Sequence, residues 1–240
     1  DLHRRRHSFP TRRSSDLGMV GQRFISLLEN HPWFEVTVLA ASKRSAGKTY
    51  GETVEGRWHM TTPLPEKYKD MVIVDAENVE EVASQVDFCF CAVNMKKDEI
   101  RALEEAYAKA ECPVISNNSA HRGTPDVPMI IPEINDDHAE IIHAQRRRLG
   151  TKRGFIAVKS NCSLQSYVPA IHAIKDLGIT KVLACTYQAI SGAGKTFETM
   201  PEILDNVIPY IGGEEEKSEQ EPMKIWGHIE GDQIVNATSP

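Results

Sequence analysis

Cys162 stands in the run Ser160-Asn161-Cys162-Ser163, between the apolar stretch Phe155-Ile156-Ala157-Val158 and a helical pattern that follows at once. A thiol attacks carbon as its thiolate, and an ordinary thiol is only roughly a few per cent ionised at neutral pH. The positive end of a helix favours the anion. A strand, a polar turn and a helix start are therefore a setting in which a cysteine becomes a nucleophile. Ser160, Asn161 and Ser163 do not suit simple burial. Cys89, Cys91 and Cys185 lie in apolar strand-like runs and read as small buried hydrophobes. Cys112, before Pro113, reads as a strand-entry residue.

Two further segments suit a nucleotide. Gly18-Met19-Val20-Gly21 sits at a helix start, where glycines let a pyrophosphate approach backbone N–H groups at the positive end of the dipole. Two glycines at an ordinary turn are the alternative, because the strand and the earlier glycine of a full fingerprint are not in evidence before them. Further on, Ser42-Lys43-Arg44-Ser45-Ala46-Gly47-Lys48 follows an apolar strand and contains no acid. An NAD site places Asp or Glu there for the ribose 2′-hydroxyl, whereas an Arg accommodates a 2′-phosphate. The loop favours NADP, with a solvated basic loop as the alternative.

The elements that must position these residues alternate between helix and strand. The helix Met19–Glu29 would bury Val20, Phe24, Leu27 and Leu28. Strands are expected at 36–41, 71–74, 88–93, 114–115 and 155–158, with a helix at 96–109. After Cys162 a helix should run to about Leu177, closed by Gly178. A long strand at 181–190, a turn at 191–194, a helix at 196–207 and a charged loop at 214–221 complete the pattern. This is an α/β chain with a largely parallel sheet. It divides into a leader at 1–17, a nucleotide-binding domain at 18–150 and a second, catalytic domain at 151–240. The leader, rich in Arg, Ser and His, resembles translated sequencing-adaptor sequence, with a disordered tail or transit peptide as alternatives.

Composition narrows the class. The 240 residues are 40% hydrophobic and 26% charged, as in ordinary globular proteins, and the net charge of −6 argues against a general nucleic-acid binder. No apolar run is long enough to span a bilayer. Five cysteines, odd in number and without paired metal-site spacing, fit a reducing, cytoplasmic setting and no metal centre.

Taken together, Gly18–Gly21, Ser42–Gly47, Ser116-Asn-Asn-Ser-Ala-His-Arg122, Ser160–Ser163, Gln188-Ala-Ile-Ser-Gly-Ala-Gly194 and Gly212-Gly-Glu-Glu-Glu-Lys217 occur in an order that resembles aspartate-semialdehyde dehydrogenase, in its archaeal and fungal branch. The likeness covers nearly all of 18–240. It implies a Rossmann-type nucleotide-binding domain joined to an incomplete α+β catalytic and dimerisation domain. The implied reaction is NADPH-dependent reductive dephosphorylation of 4-phospho-L-aspartate to L-aspartate 4-semialdehyde, in the pathway to lysine, methionine and threonine. Cys162 matches the nucleophile that forms a thioester, and Gln188 the glutamine beside it. Gly18, Met19, Val20, Gly21, Ser42, Arg44, Ser45 and Gly192 match cofactor positions, Gly192 beside the nicotinamide. Arg122, with Asn118 next to the same pocket, matches the phosphate site. Glu214 and Lys217 match a pair for the substrate amine and phosphate, though a one-residue offset among three glutamates or a solvated acidic loop would also fit. The implied partners are a small-molecule substrate and phosphate, and the assembly a homodimer or homotetramer.

The family's first strand would precede residue 18, and its catalytic histidine would lie beyond residue 240. None of His121, His138, His143, His172 or His228 stands in the matching motif. The expectation is a chain truncated at both ends and inactive as it stands. N-acetyl-glutamyl-phosphate reductase, which places Gly before its cysteine, and an inactive NADP-binding fragment are the alternatives.

Overall fold

The computed structural model describes residues 18–238 and, for the backbone, residues 5–10. Six strands, β1 (Arg5–Pro10), β2 (Phe34–Ala41), β3 (Ile73–Asp75), β4 (Phe88–Cys91), β5 (Val114–Ser116) and β6 (Ile156–Val158), form one sheet. Every pairing is parallel, and the order is β3-β2-β1-β4-β5-β6. Five longer helices are α1 (Met19–Leu28), α2 (Lys97–Lys109), α3 (Ile142–Leu149), α4 (Leu164–His172) and α5 (Glu214–Ile225). A hairpin of β7 (His228–Glu230) and β8 (Gln233–Val235) follows. No helix among the described residues is long and apolar enough to cross a membrane.

The strand order reverses at β1, the point where doubly wound sheets open a crevice beyond their carboxyl ends. The expectation of a missing first strand gives way here. Arg5 to Pro10 pair with Phe34 to Ala40 on one side, and His7 and Ser8 with Phe88 and Cys89 on the other. Ladder hydrogen bonds are made by the backbone, so a sequence without strand-like side chains can fill a slot whose two walls would otherwise go unpaired. Pro10, which has no N–H to give to a ladder, comes last in the strand. Residues 1–4 and 11–17, the rest of the expected leader, lie outside the described residues.

Between His7 and Ser8 the register with β2 slips by one residue. Such a bulge moves the side chains before it to the other face. Accordingly Val36 shares a core with Leu39 and Ala41, while Val38 and Ala40 join the other. The first of these cores is closed by α1 with only part of the face read from sequence, Phe24 and Leu28. Val20 and Leu27 are exposed, whereas Gln22, Ile25 and Leu28 are buried. Gln22 is inside because its amide is satisfied: Nε2 donates to the Arg57 carbonyl at 2.7 Å and Oε1 accepts from His59 N at 2.7 Å. Phe24 stacks on Phe90, with ring centres 4.9 Å apart.

Four more expectations change. The sheet does not end near residue 150, because β6 pairs with β5 as its sixth strand. Residues 181–190 form no strand: no described segment pairs with them, and Leu183 and Tyr187 are 88% and 89% exposed. Cys185, within that stretch, is exposed rather than buried. The helix expected at 196–207 shrinks to a single turn at Pro201–Ile203, since proline lacks the N–H a helix interior needs. The charged loop at 214–221 is the start of α5, whose first turn holds Glu214, Glu215 and Glu216 against the positive end of its dipole.

Candidate active site

The carboxyl ends of β5 and β6 place two turns side by side. Beyond β6, Asn161 bends its own turn: Oδ1 accepts from the Ser163 N–H at 2.9 Å and from its hydroxyl at 2.8 Å. This local competition with helix geometry delays α4 until Leu164 and leaves Cys162 exposed at the tip of the turn. Its Sγ lies 4.0 Å from Gln188 Oε1. Ser160, Asn161 and Ser163 around it are buried, each with hydrogen bonds, as their polarity requires.

The turn is clamped by α5. Glu214, Lys217, Glu221 and Lys224 fall three or four residues apart, so one face of the helix carries all four. Asn161 Nδ2 donates to both Glu214 oxygens at 3.0 Å, and Gln188 Nε2 donates to Oε2 at 3.1 Å. Lys217 Nζ reaches Oε1 at 2.6 Å. Burial alone would raise the Glu214 pKa, but the bonds from Lys217, Gln188 and Asn161 hold it below the ordinary value. Two turns after Glu214, Glu221 bridges the two loops, accepting from Arg122 Nη1 at 2.9 Å and from the Asn161 N–H at 2.6 Å.

The loop after β5 is pinned from two sides. Below it, buried Glu104 accepts from the Ser116 hydroxyl at 2.5 Å and from Asn118 Nδ2 at 3.1 Å. From α5, the Lys224 ammonium donates to the carbonyls of Arg122, Thr124 and Val127 at 2.7–2.8 Å. Burial pushes this lysine's pKa down to about 8. The Asn118 amide is thus turned inward, away from the role expected beside Arg122; the carbonyl of its neighbour Asn117 is what approaches Arg122, at 3.5 Å from Nη2.

The nucleotide positions lie on the other half of the sheet. Gly18 caps α1 without a side-chain bond and no acid occupies the first turn, so the N–H groups of Met19, Val20 and Gly21 have no intrahelical acceptor. That arrangement fits a pyrophosphate. After β2, the Ser42 carbonyl accepts from Ser45 and Ala46, and Gly47, at φ +83°, returns the turn to β3 through a 2.8 Å bond to Ile73. Ser42 is buried, Arg44 exposed and Ser45 half-buried. With no carboxylate in the turn, the residues fit a 2′-phosphate better than a free 2′-hydroxyl. Gly192 lies exposed in the short turn Ile190–Ala193.

No histidine among the described residues is hydrogen-bonded to Cys162 or Gln188. His121 meets Thr124, His138 the Asn135 amide and the Gly227 carbonyl, and His172 the indole of Trp226. Among the described residues no cluster of His, Cys, Asp and Glu is placed to hold a metal.

The description "Semialdehyde dehydrogenase, NAD binding domain" matches residues 17–142, and "Semialdehyde dehydrogenase, dimerisation domain" matches 170–240. The chain belongs to the semialdehyde dehydrogenase family. Aspartate-semialdehyde dehydrogenase of Archaeoglobus fulgidus is 42% identical over 219 residues, 90% of this chain and 61% of that protein. The Saccharomyces cerevisiae enzyme of the same name is 42% identical over 217 residues, covering 87% and 57%. A crystal structure of aspartate semialdehyde dehydrogenase with NADP from Candida albicans superposes with a TM-score of 0.80 at 33% identity, covering 97% of this chain and 63% of that one. The chain thus spans about 60% of the length of these relatives.

Around this candidate site, three residues escaped the sequence reading: Lys159, Glu221 and Lys224. The last two had a signal, since 214, 217, 221 and 224 share a helical stripe. Pro222 and the run of glutamates concealed the helix. Lys159 had none.

Proposed function

We propose that the protein interconverts 4-phospho-L-aspartate and L-aspartate 4-semialdehyde plus phosphate with NADP, through a thioester on Cys162. The observation that carries this reading is the exposed Cys162 at the start of α4, with the Gln188 amide 4.0 Å from its sulfur and that amide fixed by Glu214. Relatives named for this reaction support it.

In the biosynthetic direction the Cys162 thiolate attacks the acyl carbon of the substrate. The carbon–oxygen bond to phosphate breaks, phosphate leaves with the electron pair, and a thioester remains. NADPH, held by the α1 N-terminus and the 42–45 turn, supplies hydride to that acyl carbon. Collapse of the resulting tetrahedral adduct breaks the carbon–sulfur bond, releasing aldehyde and thiolate. Gln188, restrained through Glu214, orients the acyl group over the sulfur. Glu214 receives the substrate ammonium, while Lys217 and Arg122 face the phosphate. Gly192 leaves room beside the nicotinamide.

We also assign the protein a homo-oligomeric state, supported by the dimerisation-domain match at 170–240, and a reducing compartment such as the cytoplasm, supported by five unpaired cysteines. The reaction is tested in the reverse direction, by NADPH formation from NADP, phosphate and aspartate semialdehyde. Cys162→Ser should lower turnover by more than about tenfold, or 1.4 kcal/mol, and leave NADPH binding unchanged by fluorescence. Turnover retained above that level removes the thioester from the reading.

A further inference from the structure

The cations of the site are unequally occupied. Arg122 is paired with Glu221, and Lys217 with Glu214 at 2.6 Å. Lys224 spends its ammonium on three carbonyls. Lys159 is different. It follows directly on β6, at the carboxyl edge of the sheet where ligands of such folds bind, three residues before the nucleophile. Its backbone is fixed, since its N–H donates to the Ser116 carbonyl at 2.9 Å. Its half-buried side chain makes one hydrogen bond, from Nζ to the adjoining Ser160 carbonyl at 3.1 Å. Among the described residues it has no carboxylate within ion-pair distance. Two of its three donors therefore have no acceptor among the described residues. The charges that act on it are those of Cys162, Arg122 and Glu221.

We propose that Lys159 joins Arg122 and Lys217 in binding the phosphate group beside Cys162, and that it is the one cation there whose donors are open before the phosphate arrives. This deepens the reaction proposed above and rests on it for the identity of the anion. A half-buried ammonium with open donors is costly until an anion fills them. Burial lowers the lysine's pKa, Arg122 lowers it further, and Cys162 and Glu221 partly offset the loss. A phosphate dianion at the same place supplies both the missing acceptors and the missing charge. When the acyl carbon–oxygen bond breaks, negative charge grows on that phosphate, so the same lysine favours departure of the leaving group.

The test reads binding rather than turnover. Iodoacetamide alkylation of Cys162 is followed by peptide mass spectrometry, with and without inorganic phosphate at constant ionic strength. Cys185, the other exposed cysteine, is the internal control. In the wild-type chain and in Lys159→Arg, phosphate should slow alkylation of Cys162 and leave Cys185 unaffected. In Lys159→Met the half-protecting phosphate concentration should rise at least about fivefold, as befits one lost charge-assisted bond, with an unchanged Cys185 rate and circular dichroism. Protection by the same concentration in Lys159→Met would overturn the proposal and move the anion to Arg122 or Lys217. Absence of protection in the wild type would overturn it as well. Because turnover is not measured, a failed thioester reading leaves this result unaffected, and the reverse also holds.

Discussion

At the scale of single residues, the choice between two nicotinamide cofactors comes down to what stands after β2. The turn offers two serine hydroxyls and Arg44, with the Ser42 carbonyl already engaged in shaping it. Arg44 is exposed and free to swing onto a 2′-phosphate. Arg44→Glu places a carboxylate against that phosphate and should weaken NADPH binding by about tenfold or more, roughly 1.4 kcal/mol, with a much smaller effect on NADH. Fluorescence titration with both cofactors checks this; equal losses would show that the turn does not read the phosphate. The exposure of Cys162 was legible from sequence because polar neighbours are wasteful around a buried thiol. Lys159 was not, because nothing in its sequence neighbours says that its ammonium will lack a carboxylate; that emerges only when Glu214 and Glu221 are seen to be taken.

At the scale of elements, the parallel strands were legible because β-branched and apolar runs bounded by turn residues have few other readings. The elements that failed share a cause: each depended on a partner or a local break that periodicity does not register. The alternating run at 181–190 lacks a neighbouring strand, Pro201 breaks its helix, and β1 forms where propensity gives no hint of it. Helix α5 went the other way, a charged segment made helical by its acidic first turn and anchored by Lys224. Lys224→Met should therefore cost about 2–4 kcal/mol at pH 7, since it leaves buried carbonyls of the 122–127 loop without donors. The pH dependence has a definite sign. The folded-state pKa of about 8 lies below the ordinary ~10.4, so between these values the unfolded chain binds more protons than the folded one. The titration-linked part of this group's stability is then fully present above pH ~10.4 and is lost as pH falls through about 8, below which the three carbonyl bonds remain. The wild-type advantage over Lys224→Met, measured by urea unfolding, should widen from pH 8 to 10.5, within the window set by that pKa. A constant or narrowing gap would mean that burial does not hold the Lys224 pKa below its ordinary value.

At the scale of the whole molecule, apolar exposure is lopsided. Fourteen large hydrophobic side chains are exposed among the described residues, and ten of them lie between Ile174 and Ile211. Isolated exposed hydrophobes are ordinary on a monomer, but such a concentration marks a surface that is covered in the working state. The segment lies within the stretch matched as a dimerisation domain, 170–240, so a second copy of the chain is the expected cover. Obligate interfaces of this kind are more hydrophobic than the rest of a surface and resemble a core cut in half. Sedimentation equilibrium should accordingly find a dimer or tetramer. Replacing both Leu183 and Tyr187 with Asp should raise the dissociation constant by about tenfold or more, because each variant carboxylate would have to be desolvated at the interface. The same two changes should cost the isolated fold little, since the side chains are 88% and 89% exposed and touch no core. If the double variant associates as tightly as the wild type, the 174–211 face is not the interface, and the apolar side chains there must be covered by something other than a second copy.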